Sequence, residues 1–148
     1  MKPDVDRFLE VATVYLMGQL APSISVTYEQ SNVNVLAVML MAVREEFDRA
    51  AARRIEENRA LRRLFAEAAP VVNNRELRSR LMEAASGADA QLLVSDLERG
   101  NAMLRGLLIE LHTHVESLDS PESRRVEAAI WCELAASTER RKLAMGPV

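Results

Sequence analysis

The stretch LVSDLERGNAMLRGLLIELHTHVESL, residues 93–118, decides the fold of this chain. Its core-type positions recur at steps of four and three residues, and they are Leu93, Leu97, Asn101, Leu104, Leu108, Leu111, Val115 and Leu118. Such spacing keeps successive side chains on one face of an α-helix and is typical of helices that pack against helices. The sequence therefore predicts a long helix over about 90–118, set within a helical bundle.

Helix-breaking residues divide the chain into about five helical segments. The breaks lie at Ala21-Pro22-Ser23, 70–74, Ser86-Gly87-Ala88 and Asp119-Ser120-Pro121. The predicted helices run from Asp4 to before Pro22, from within 23–31 to Ala69, over 75–85, over 90–118, and from Ser120 to about Met145. No break is long or of low complexity, so we expect a single helical-bundle domain over residues 1–148.

The second predicted helix contains the most apolar stretch, residues 33–43, in which Asn34 is the single polar residue. A helix that is apolar around its whole circumference belongs in the centre of a bundle, so we expect this helix to be the most buried. Eleven residues cover only about 16 Å of helix, half of a bilayer core, so no membrane span is predicted. The apolar face drifts near Glu57-Asn58, where the helix is either continuous or broken.

The composition favours packed helices and limits the class of protein. Of 148 residues, 49% are hydrophobic, 28% are charged and 4% are aromatic, and the net charge is −3. These values are typical of a globular all-α protein. The lone cysteine, Cys132, lies in a helical run and is expected to be a small buried hydrophobe. Because no secretory leader pattern occurs, we expect a cytoplasmic protein.

Few residues indicate an enzyme. The sequence has no nucleophile elbow, no phosphate-binding glycine loop and no dinucleotide fingerprint, so it predicts no catalytic residue and no cofactor. His112 and His114 stand four residues from Glu116 and Glu110 respectively, which places each pair on one helix face. The Glu-x-x-His spacing of di-iron bundles is missing. We therefore expect ion pairs or hydrogen bonds here and no metal site.

Two asparagines interrupt apolar helical faces, Asn34 in the second helix and Asn101 in the fourth. A buried asparagine must find hydrogen-bond partners. It either fixes the register between two copies of a chain or bonds to groups of its own chain, and the sequence leaves both open. Together with Glu110, His112 and His114, these asparagines are the candidate polar-core or interaction residues.

Arginines form the one candidate surface for an anionic partner. Residues 44–80 contain ten arginines and seven acidic residues. The candidate face consists of Arg53, Arg54, Arg59, Arg62 and Arg63. Acids four residues away neutralise much of this charge, so the main interpretation is a solvated helix face, and nucleic-acid binding is the alternative.

Three segments carry a family resemblance: NVLAV at 34–38, REEF at 44–47 and NRALRRL at 58–64. They resemble a small all-helical bacterial family of unknown function, often encoded beside acyl-CoA dehydrogenases and aminoglycoside-phosphotransferase-like kinases. In that family the first two segments lie about one helical turn closer together. The resemblance implies an accessory role near acyl-CoA metabolism, and it supplies no catalytic residues.

The sequence thus predicts an all-α bundle of four or five helices with a buried central helix. The predicted function is that of a non-catalytic interaction or accessory protein that self-associates, with a dimer favoured, because the apolar helical surface exceeds what a chain of this size can cover. One alternative is a small-molecule or acyl-group binding protein or enzyme, with an inter-helix cavity lined by Met17, Met39, Met41 and Met103. Glu45, Glu110, His112 and His114 would supply its polar contacts. The second alternative is weak nucleic-acid binding through the arginines.

Overall fold

A computed structural model describes residues 4–144, which form five helices and no β-strand. Helix α1 comprises Val5–Tyr15, a π-helical turn at Leu16–Leu20 and a last turn at Ala21–Ser23; α2 is Thr27–Ala68, followed by a 3₁₀ turn at Ala69–Val71; α3 is Arg75–Ser86; α4 is Val94–Glu116; and α5 is Pro121–Arg141. The predicted all-α fold is confirmed. None of the described helices has the length and apolarity needed to cross a bilayer.

Polar side chains fix the helix starts. The side chain of Asp4 accepts a hydrogen bond from the backbone N–H of Arg7, and that of Asn74 accepts one from Leu77. Helix α5 begins with a capping box, in which Ser120 and Ser123 each accept the other's backbone N–H. These caps satisfy amides that have no partner inside the helix.

Two predicted helix boundaries shift by about one helical turn, and the structure shows whether the second predicted helix is continuous at Asn58. Helix α4 begins at Val94, four residues after the predicted start. Helix α5 ends at Arg141, whereas the prediction reached Met145, which lies outside the described residues. Helix α2 continues without a break through Asn58, so the alternative of two shorter helices is wrong.

The chain divides into two compact units, which we call the N-terminal unit and the C-terminal unit. The N-terminal unit comprises Met1–Ala50 and Leu143–Val148, described here over 4–50 and 143–144; the C-terminal unit comprises Ala51–Lys142. Helix α2 begins in the first unit and ends in the second. Each unit buries its side chains to a different degree.

The C-terminal unit has a well-filled core of its own. The largest fully buried apolar side chains come from all four of its helices and the 3₁₀ connection, and they are Phe65, Val72, Leu81, Leu97, Leu111, Val115 and Ile130. The predicted face of α4 is confirmed from Leu97 to Val115, whereas Leu93 precedes the helix and is exposed. Helix α2 contributes to this core through its last two turns.

The N-terminal unit buries few side chains. Among its described residues, the buried ones are Leu9, Thr13, Ala21, Ala37 and Ala50, so Leu9 is the single large apolar member. The prediction that 33–43 is the most buried stretch is therefore wrong. In this unit α1 is the one described helix that packs against α2, and a single neighbour covers a single face. Asn34 is exposed, which excludes it from the core of the monomer.

Candidate functional site

The N-terminal unit carries an extensive apolar surface, which we call the hairpin surface. It consists of thirteen large apolar side chains of α1, α2 and their connection, all at least 40% exposed: Phe8, Val11, Val14, Tyr15, Met17, Val26, Tyr28, Val35, Leu36, Met39, Met41, Val43 and Phe47. The C-terminal unit, although larger, exposes seven such side chains among its described residues. Exposed apolar groups are therefore concentrated on the hairpin, and a concentrated apolar patch marks an interaction site.

Eleven of the thirteen side chains of the hairpin surface lie in a segment that is almost free of charge. Between residues 11 and 43 the sequence contains one charged side chain, Glu29, and no lysine or arginine. The exposed faces of ordinary globular helices carry interspersed charges that keep them in water. This segment lacks them, and apart from Glu29 its exposed polar side chains, such as Gln19, Asn32 and Asn34, are uncharged.

The exposed side chains follow helical spacing. On α2, Leu36, Met39, Val43 and Phe47 succeed one another at steps of three, four and four residues. On α1, Phe8, Val11 and Tyr15 are spaced by three and four. Each helix thus presents a continuous apolar stripe, the pattern with which helices pack against other helices.

Polar contacts join the two helices of the hairpin. Arg44 on α2 forms two hydrogen bonds with the carboxylate of Asp6 on α1, at 2.6 and 3.0 Å. These bonds lower the pKa of Asp6 below its ordinary value. Near the connection, the Gln30 side-chain amide donates to the carbonyl of Ala21 at 3.0 Å. The hairpin is therefore held at both ends, while its thirteen large apolar side chains stay at least 40% exposed.

A cavity of about 490 Å³ lies between α1 and α2. Its lining residues are Glu10, Thr13, Val14, Met17, Gly18, Met41 and Arg44. The structure brings together two of the predicted cavity methionines, Met17 and Met41. Met39 is exposed and absent from the lining, and Met103 lies in the C-terminal unit. Glu45 accepts the backbone N–H of Ala144.

Asn101 belongs to a buried polar network in the C-terminal unit. Its amide donates to Oδ1 of Asn58 at 3.0 Å and to Oε2 of Glu57 at 3.2 Å. Glu57 also accepts hydrogen bonds from Ser137, at 3.1 Å, and from two guanidinium nitrogens of Arg141, at 2.7 and 2.8 Å. Of the two roles that the sequence allowed for Asn101, the structure therefore shows bonding within the chain.

The charge state of Glu57 follows from these partners. Burial raises the pKa of its carboxyl group, but the hydrogen bonds and charge of Arg141, together with Ser137 and Arg54, hold the pKa below its ordinary value. Glu57 is therefore an ionised carboxylate inside the protein. From the sequence, Glu57 lies where the apolar face drifts and four residues from Arg53, whereas Ser137 and Arg141 give no signal of their contact with it.

The arginines of the candidate anion-binding face do not form one exposed stripe. Arg53 is buried, and Arg54 pairs with Glu98. Arg62 pairs with Asp89 at 2.9 Å, and Asn58 donates to the same carboxylate. Exposed Arg59 and Arg63, with Arg62, line a cleft of about 460 Å³. Two exposed cations give a weak electrostatic site for a polyanion.

The histidine region departs from the predicted pairing. Glu110 binds Arg80 through two hydrogen bonds of 2.6 and 2.8 Å, and these lower the pKa of its carboxyl group. His112 does lie near Glu116, with Nε2 3.5 Å from Oε1. Glu127 of α5 joins this pair, an approach between helices that spacing along one helix could not reveal. Nε2 of His114 is buried without a hydrogen-bond partner.

Cys132 is exposed, so the expected burial of its thiol is wrong. Val126 and Ile130 place the buried face of α5, and Cys132 lies two residues beyond Ile130. Two residues correspond to a rotation of about 200° around the helix, which directs the thiol to the opposite side.

No known protein family, curated protein or solved structure is significantly similar to this chain.

Proposed function

We propose that this protein is a non-catalytic helical interaction protein that self-associates. Two copies pack their hairpin surfaces together, so that α1 and the N-terminal half of α2 from each copy form a four-helix core. The observation that carries this proposal is the concentration of thirteen exposed, large apolar side chains on a helical hairpin, eleven of them within residues 11–43, where Glu29 is the single charged residue.

The hairpin needs a partner for its own stability. Isolated helices depend on tertiary packing, because their formation gains little free energy beyond the entropy that it costs. The N-terminal unit offers one large buried apolar side chain, Leu9, for two helices. A half-exposed apolar side chain presents on the order of 80 Å², so thirteen present on the order of 1,000 Å², comparable with the roughly 800 Å² per partner of a standard interface.

The chemistry of the hairpin favours a second copy over other occupants. Helices that lie on membranes carry lysine and arginine on their polar face, and residues 11–43 contain neither. The same lack of cations disfavours nucleic acid. Most oligomers of soluble proteins are homo-oligomers, usually twofold dimers in which one patch meets its own copy. Apolar stripes on two adjacent helices suit such self-complementary packing.

Sedimentation velocity between about 1 and 100 µM tests this proposal. We expect the chain to sediment as a dimer of twice its 16.5 kDa mass. The double variant Leu36→Asp/Met39→Asp, which places two carboxylates at the centre of the α2 stripe, should be monomeric. The matched control is Leu92→Asp/Ile109→Asp, because both residues are even more exposed but lie in the C-terminal unit. The control should remain a dimer.

Three results would overturn self-association through the hairpin. The first is a wild-type protein that stays monomeric at 100 µM. The second is dimerisation that the Leu36/Met39 variant retains, which would place the interface elsewhere. Circular dichroism of both variants is needed to show that the C-terminal unit remains folded. Flotation with neutral and anionic lipid vesicles distinguishes a membrane-bound monomer, which would also refute the proposal.

A second candidate function rests on the hairpin cavity. Its volume of about 490 Å³ and its methionine-containing lining suit an apolar chain. Arg44 also lines the cavity, and its guanidinium group binds the carboxylate of Asp6. This candidate agrees with the role near acyl-CoA metabolism that the resemblance implies. Fatty acids and acyl-CoA thioesters should then raise the melting temperature.

Gly18 provides the variant that tests binding in the cavity. A Cβ atom at this position meets no atom within 4 Å, so Gly18→Leu fills space in the cavity without a backbone clash. The variant should abolish stabilisation by acyl ligands. If no acyl ligand stabilises the wild-type protein, the binding candidate is refuted and self-association is unaffected.

A further inference from the structure

Three potential metal ligands converge between α4 and α5 in the C-terminal unit. His112 and Glu116 lie one helical turn apart on α4, and Glu127 projects from α5. One donor atom from each of the three residues lies within 4.8 Å of the other two. The contacts follow an antiparallel register, since Glu116 faces Glu127 and His112 faces Trp131.

The imidazole of His112 is held in place but lacks a hydrogen-bond partner at Nε2. Its ring meets the ring of Trp131 edge to face, with centroids 5.2 Å apart and planes at 86°. The side chain is 21% exposed, and the Nε2 atom itself is buried. The nearest carboxylate oxygen, Oε1 of Glu116, lies 3.5 Å away without hydrogen-bond geometry. The imidazole nitrogen thus lies beside two carboxylates without forming a hydrogen bond, and these three groups are potential metal ligands.

We propose that His112, Glu116 and Glu127 bind a divalent transition-metal ion of the zinc class. An imidazole nitrogen selects zinc and its neighbours over magnesium and calcium, which prefer oxygen ligands alone. Three protein ligands leave a fourth position for water. In tetrahedral zinc sites the donor atoms are about 3.3 Å apart, so donors within 4.8 Å of one another must close by at most about 1.5 Å. Rotation of the exposed Glu116 side chain and the half-buried Glu127 side chain can supply this movement.

The single tryptophan of the chain provides a direct readout, because Trp131 contacts the proposed ligand His112. Tag-free, full-length protein is titrated with Co²⁺, a paramagnetic ion that quenches tryptophan fluorescence at short range. We expect saturable quenching at one ion per chain. Added Zn²⁺ should displace Co²⁺ and restore the fluorescence. Calorimetry with Zn²⁺ alone then gives the stoichiometry and affinity without a quencher.

Four variants locate the site. His112→Ala and Glu127→Gln should each weaken Zn²⁺ binding at least about tenfold, the loss expected on removal of one ligand. Two matched controls should keep the wild-type affinity. His114→Ala removes a histidine of the same helix that is not part of the cluster, and Glu122→Gln removes one charge from an exposed position of α5.

The outcomes are distinct from those for the hairpin. Absence of saturable Zn²⁺ binding up to 100 µM overturns the site, whether or not the protein dimerises. Binding that is unchanged in Glu127→Gln overturns the three-ligand arrangement even if His112→Ala loses affinity. Binding that Glu122→Gln weakens equally shows non-specific attraction to acidic side chains. Glu127 is partly exposed at the helix surface, so its glutamine variant is expected to fold.

Discussion

Substitution of Glu57 by glutamine should destabilise the C-terminal unit by about 2–3 kcal/mol at pH 7. The substitution replaces a single carboxylate oxygen with an NH₂ group. The Glu57 side chain is 2% exposed, and its two oxygens accept four hydrogen bonds. In glutamine, one of these oxygens becomes an NH₂ group. That group must face a nitrogen of Arg141 whichever way the amide is turned, because the guanidinium contacts both oxygens. A donor would then meet a donor.

The magnitude follows from the partners that are lost. On the Oε1 side the glutamine NH₂ group faces Arg141 and Ser137, whose hydroxyl group can turn to accept. On the Oε2 side it faces Arg141 and Asn101, whose amide already donates to Asn58. The cheaper choice forfeits one charge-assisted bond and the ionic attraction. Such bonds contribute about 1.5–3 kcal/mol each, reduced here because Arg141 is 39% exposed.

Urea unfolding followed by Trp131 fluorescence measures this change, since Trp131 and Glu57 both lie in the C-terminal unit. With a slope of about 1 kcal/mol per molar urea, the midpoint should fall by about 2–3 M. The gap between wild type and variant should also depend on pH. The pKa of Glu57 is lower in the folded than in the unfolded state, so its contribution is complete above pH 4.5, the ordinary value, and is lost as the pH falls through the folded-state pKa.

The matched control is Glu56→Gln, which removes the same charge from an exposed neighbouring position of α2. Its free energy of unfolding should stay within about 0.5 kcal/mol of the wild-type value. If Glu57→Gln unfolds at the wild-type midpoint, the network contributes no net stability and the reasoning is refuted. The same follows if the gap between wild type and Glu57→Gln is as large at pH 3 as at pH 7.

Two further predictions test the C-terminal unit. Leu81→Ala, at a fully buried position, should lower the free energy of unfolding by about 2–5 kcal/mol in the same urea assay, whereas Met82→Ala, at an exposed position of the same helix, should change it by less than about 0.5 kcal/mol. The exposed thiol of Cys132 should react with one equivalent of an aromatic disulfide reagent in native protein. A thiol that reacts only after denaturation would contradict the placement of Cys132 on the exposed side of α5, opposite to Ile130.

Much of the fold follows from local sequence signals. Ser120-Pro121 predicted the start of α5, since a side chain that accepts amide hydrogen bonds preceded a proline at the first helical position. The face of α4 from Leu97 to Val115 followed from spacing alone. The prediction that Cys132 is buried is wrong, because an apolar composition does not reveal which face of α5 is buried, and Ile130 places that face on the opposite side.

The polar sites depended on contacts that sequence spacing does not contain. Asn101 was recognised because it interrupts an apolar face, but its partner Glu57 lies forty-four residues away on another helix. Glu127 was missed for the same reason, since its approach to His112 requires the register of α4 against α5. Glu110 was paired with His114 by the four-residue rule, whereas Arg80 of α3 binds it instead. Local rules identify unusual residues, and only packing identifies their partners.

The misprediction of residues 33–43 supports the proposed assembly. An apolar helix surface indicates that water is excluded from it in the functional state, and the sequence does not say whether the same chain excludes that water. In the C-terminal unit, stripes such as the one through Leu104 and Leu111 face other helices of that unit. In the hairpin, the equivalent stripe through Leu36 and Met39 faces solvent. If both stripes must be shielded from water, a second copy of the chain supplies the burial that the sequence predicts for 33–43.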